Sequence, residues 1–258
     1  MTHELPTPTP TPEPGEQPQR SWVEGFRDIM VAPTELASTL GQHVGKVFVA
    51  ALLLLTVTSA AVNWLHSRSP ALRVQLEELT LQQLERYFAK NPQLSSEERQ
   101  RIRETVPEGL RFSLARSLLG GLFTNVISLL AVLGLLWLLQ LPFAGNLQRV
   151  RFAVLAAALG YSCLPGALGE LLNAAVQVLG GSLQFQLSPA AFVSPFEHPI
   201  AFSVLSRLHV GTVAQYALLG IVLADAASLR SRLAGVAWSF AALGIWLGAI
   251  AALGRLMA

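Results

Sequence analysis

Five runs long and apolar enough to cross a bilayer recur along this chain of 258 residues, over 47–65, 118–141, 152–179, 208–227 and 233–253. About 20 apolar residues match a hydrocarbon layer roughly 30 Å thick at a helical rise of 1.5 Å per residue. Inside that layer every backbone N–H and C=O must be bonded within the protein, and helices meet the demand segment by segment. The pattern therefore predicts an all-α fold, a polytopic integral membrane bundle of five transmembrane helices whose first partner is the lipid bilayer. Composition agrees: 52% of the residues are hydrophobic and 13% charged, too apolar for a soluble domain of this size.

The third run, FAVLAAALGYSCLPGALGELLNAAVQVL over 152–179, sets the arrangement of the others. Glu170, Asn173 and Gln177 fall at i, i+3 and i+7, on one helical face. A carboxylate facing acyl chains costs at least about 2.5 kcal/mol, so this face turns toward other helices, a water-filled crevice or the headgroup boundary. The third helix is accordingly expected at the centre of the bundle. Pro165 cannot donate to the carbonyl of Tyr161, and Gly166 follows it, so a kink is expected. Ala153, Ala156, Ala157 and Gly160 offer a small-residue surface for close helix approach.

Around the spans the chain divides by composition. Residues 1–20, with TPTPTPEP, are expected as a disordered Pro/Thr-rich tail, open to recognition as extended proline chain. Over 21–45, Ser21 and Glu24 have capping-box spacing. Trp22, Phe26, Ile29, Pro33, Leu36 and Leu40 then form an amphipathic stripe, which Pro33 divides into two short helices. These lie along the membrane surface or pack on the spans. No cleavable leader is read, because the first apolar run begins after residue 46. Residues 46–258 form the membrane domain, with a hydrophilic helical hairpin over 66–116 between spans one and two. The connection 180–206, nearly uncharged, lies in the interface or re-enters part-way. Gly244 and Gly248 make a GxxxG pair, a signal for close packing.

Arg149, Arg151, Arg230 and Arg232 cluster in two short loops while 180–206 lacks Lys and Arg, which places the N-terminus inside and the C-terminus outside. The hairpin's nine basic residues oppose this placement, offset by its length and seven acidic residues. The net charge of +2 comes without a basic face that could track phosphates, so nucleic acid is not an expected partner. Cys163 is the only cysteine, so neither an intrachain disulfide nor a thiolate metal site can form. The histidines His3, His43, His66, His198 and His209 lack ligand spacing, and HExxH, GxSxG and phosphate-cradling glycine loops are missing. The chain reads as a non-enzyme without cofactor or metal. A hydroxyl of Tyr161 or Ser162 is expected to bond the carbonyl freed by Pro165.

Gly160-Tyr161-Ser162-Cys163-Leu164-Pro165 resembles the GYS-x-x-P segment of the Yip family, the Ypt/Rab-GTPase-interacting membrane proteins, and its bacterial relatives. FRDIMVAPTEL is similar to the pre-membrane segment of bacterial members. The resemblance covers roughly 22–254. It implies a five-span bundle, helix packing for Gly160, Tyr161, Ser162 and Pro165, and, for a bacterial-type member, the cytoplasmic membrane. The long hairpin departs from the short connection of eukaryotic members.

Two functions follow. One is a Yip-type scaffold or adaptor, acting through residues 1–45 or the hairpin. The other is a small transporter or channel subunit that uses Glu170, Asn173 and Gln177, with Asn125 of the second span, as a polar path. A competing reading has Glu170 surfacing, since it lies roughly 27 Å along a helix begun at Phe152. The absence of an evident inverted repeat favours the scaffold.

Overall fold

The computed structural model describes residues 21–37, 39–41, 43–140 and 150–257, which form helices without strands. The tail 1–20 and the loop 141–149, with Pro142 and Arg149, lie outside the described residues. Four helices are long and apolar enough to cross a membrane: α3 (Val44–Arg68), α6 (Leu114–Leu139), α7 (Phe152–Gly180) and α10 (Arg232–Met257). A fifth crossing is available if α8 (Pro199–Leu205) and α9 (Val210–Ala226) form one bent span. The protein is an integral membrane helical bundle.

α7 is its axis. Two-thirds of its apolar window, 67%, is buried, against 22–28% for α3, α6 and α10, whose exposed leucines and phenylalanines suit lipid. It packs on α3, α6 and α9 and runs helical through Pro165. Its small residues allow this: Gly160 lies against Val47 of α3, and Gly169 meets Gly211 of α9 backbone to backbone. α7 ends at Gly181, whose φ of +64° is the left-handed cap conformation that glycine adopts without strain.

The amphipathic stripe enters the bundle. Ser21 and Glu24 close the expected capping box on α1 (Trp22–Val31), and Pro33 divides the stripe as expected by opening α2 (Pro33–Leu36). Ile29, Leu36 and Leu40 are fully buried, and Phe26 stands edge-on to Tyr161 of α7 with centroids 5.0 Å apart.

Ser69 caps α4 (Pro70–Lys90), and Ser95 with Glu98 caps α5 (Ser96–Gly109), so the chain doubles back. Phe88, 2% exposed, is the hairpin's own core, with Arg99 and Arg103 over its ring and Arg103 paired to Glu85 at 2.7 Å.

One expectation holds and one is corrected. The fourth run, 208–227, forms α9, whose 17 residues give about 25 Å of helix, and α8, which lies inside the connection 180–206, meets it at 50°. The reason is local, since His209 Nδ1 accepts from the Thr212 N–H at 3.3 Å and starts a new helix there. Gly244 and Gly248 do not mark a helix crossing, because open space surrounds both. The close approach to α10 comes from Gly235, seated against Gly220 of α9.

Candidate functional site

Glu170, Asn173 and Gln177 point from α7 into a cavity of about 480 Å³, and Asn125 of α6 lines the same space. The face defined by the i, i+3, i+7 spacing therefore looks inward. Asn173 and Gln177 also hold the chain that follows. Asn173 Oδ1 accepts from the Leu187 N–H at 2.7 Å, and Gln177 Nε2 donates to the Leu183 carbonyl at 3.2 Å. His66 Nε2 donates to Gln177 Oε1 at 2.9 Å, which fixes that imidazole as the Nε2–H form. From the hairpin, Gln75 donates to the Gly181 carbonyl and accepts from the Leu183 N–H, both at 3.0 Å. These bonds fold 181–187 over the bundle like a strap.

The broken span contributes from its break. Ser206, Arg207 and His209, between α8 and α9, line the cavity, and Thr212 and Gln215 continue the wall along α9. Irregular backbone at membrane depth is tolerated where it is buried in protein or lines a cavity, which is its position here.

Two groups lack partners. Gln186, 7% exposed, has neither its Oε1 nor its Nε2 bonded, although both are buried and the residue lines the cavity. Glu170 is half-buried and makes no hydrogen bond or close ion pair among the described residues; Arg207 lines the same cavity. A second cavity of about 530 Å³ lies under the hairpin and includes Arg73, Arg111 and Arg116. Ser59, Val62, His66, Thr124 and Glu170 line both spaces, so the two meet at the carboxylate. Asn125 reaches Ser59 Oγ at 3.5 Å nearby.

Gly160, Tyr161, Ser162 and Pro165 lie elsewhere on α7. Tyr161 packs against Gly25 and Phe26, and Pro165 abuts Gly211 through its carbonyl. The expectation for the freed carbonyl is corrected: Ser162 Oγ donates to Leu159 at 2.8 Å. A helical serine reaches the carbonyl three or four residues back, so Tyr161, one residue back, is out of its range.

Sequence reasoning missed Gln186, Arg207, His66 and His209. The available signals were weak: a glutamine in an uncharged connection, and polar residues at the ends of apolar runs. No three His, Cys, Asp or Glu side chains gather to hold a metal among the described residues. Comparison with models of known protein families, with curated proteins and with solved structures finds no match.

Proposed function

We propose that the protein admits a small polar or amphiphilic ligand into the cavity around Glu170, as a transporter or channel subunit does. The observation that carries this reading is the half-open cavity itself, into which Glu170, Asn173, Gln177 and Gln186 converge between α7, the break before α9 and the strap 181–187. Burial of unpaired polar groups disfavours the bundle unless something meets them, and a site that uses a discontinuous helix is a recurrent transporter device. On this reading the scaffold expectation becomes secondary. Its support is the GYS-x-x-P resemblance and the charged hairpin α4–α5 between the first two spans. The N-terminus-inside orientation and the bacterial cytoplasmic membrane remain part of this proposal, drawn from the arginine pattern and the same resemblance.

The test is water access. In a Cys163→Ala background, Thr124→Cys lies on the cavity wall and Phe123→Cys, 70% exposed, lies at the same depth facing outward. In reconstituted membranes a charged thiol reagent should label position 124 and spare 123. Equal protection of both would remove the cavity reading.

A further inference from the structure

We propose that the ligand of this cavity is a primary-amine zwitterion with an apolar tail, its ammonium at Glu170 and its anionic group toward Arg207. The inference rests on the cavity reading above and specifies what the cavity takes. Three observations converge on it.

The first is charge. Glu170 and Arg207 line one space, and the carboxylate is not closely paired. A purely anionic ligand would leave the carboxylate unmatched, and a purely cationic one would leave the guanidinium unmatched. The second is Gln186, whose buried amide offers an acceptor and two donors with no protein partner. An N–H-bearing ammonium meets the acceptor, and phosphate or carboxylate oxygens meet the donors. A quaternary amine has no N–H to give and is excluded, whereas a primary ammonium, with three N–H donors, can serve Gln186 and Glu170 together.

The third is the gradient along the cavity. Its hairpin end carries His66, Gln177 and Gln186. Toward the other end the wall becomes Leu159, Val132 and Leu247. Leu159 precedes Glu170 by eleven residues of α7, about 16 Å along the axis. One amphiphile spans both environments, whereas a wholly polar solute would leave the leucines facing it.

Two sources share this chemistry, an aminophospholipid of the phosphatidylethanolamine kind and a free amino acid with an apolar side chain. Thermal unfolding of the purified full-length chain separates them. One arm adds phosphatidylethanolamine, phosphatidylcholine or phosphatidylglycerol; the other adds leucine or N-acetyl-leucine. The proposal expects stabilisation by phosphatidylethanolamine or by leucine, whichever is the source. Binding should weaken about tenfold in Glu170→Gln and in Gln186→Leu, as loss of a charge-assisted hydrogen bond implies. Gly244→Ala, in open space, should bind as the parent does. A response as large to phosphatidylcholine or N-acetyl-leucine as to the amine-bearing compound overturns the proposal, and so does no response to any of them. If Thr124→Cys is labelled while the amine preference is missing, the ligand assignment alone fails; if position 124 is protected, the cavity reading fails with it.

Discussion

Asn173 shows how one side chain can hold a wall and face a cavity at once. Its Oδ1 satisfies the Leu187 N–H at 2.7 Å, so Asn173→Leu takes the partner from that donor in a part-buried strap. The substitution should destabilise by about 1–3 kcal/mol and speed amide exchange in 181–187 while α4–α5 keep their protection. Unchanged exchange would mean that the strap is held by Gln75 and Gln177 alone. At the hairpin, Glu98 accepts from the Ser95 N–H at 2.9 Å and from Ser95 Oγ at 3.0 Å, and these bonds hold its carboxyl below the ordinary value of 4.5. Because the folded value is depressed, the contribution is full above the unfolded value. It is lost as pH falls from 4.5 through the lower folded value. Exchange of the first turn of α5 should therefore rise in that acidic window. Glu98→Gln, which has no carboxyl to titrate, should flatten the dependence, whereas Ser95→Ala, which removes the Oγ bond and keeps the backbone N–H bond, should only reduce it while weakening the helix start by about 1 kcal/mol. A pH response that survives Glu98→Gln would contradict this origin.

Among the elements, the decisive contacts are backbone crossings. At Gly211 an added Cβ would come within 2.5 Å of the Pro165 carbonyl and 2.9 Å of Gly169 N, with no flexible side chain to yield. Gly211→Val should destabilise the bundle by about 1–3 kcal/mol or more, read as a lower unfolding temperature in detergent. Gly248→Val, in open space, should leave that temperature nearly unchanged. The reverse ranking would restore the GxxxG reading. The α9–α10 turn offers the opposite sign. Ser228 holds φ +52°, a left-handed conformation that strains a residue with a Cβ. Ser228→Gly should stabilise by about 1 kcal/mol in the same assay, and a loss of stability would show that the serine side chain matters more than its backbone.

For the whole molecule, the apolar runs made the helical membrane bundle legible, because length and lipid solubility together leave a segment few alternatives. The central place of α7 was legible from its small residues and its polar face. Polar periodicity put Glu170, Asn173 and Gln177 on one face, while Asn125, a lone polar residue in its span, had no spacing to place it. What sequence could not reveal came from long-range closure. Gln186 joins the cavity only because the strap folds back onto Asn173 and Gln177, and Arg207 only because His209 restarts the helix. Which glycines sit at crossings depends on helix rotation, which a GxxxG spacing does not encode. Electron cryomicroscopy of the chain in lipid nanodiscs tests the central claim most directly. The account predicts non-protein density, solvent or ligand, against Glu170 and Gln186 in a space walled by α7 and the 206–209 break. Spans closed over that space, with Gln186 bonded to protein and the Glu170 carboxylate turned toward acyl chains, would contradict it.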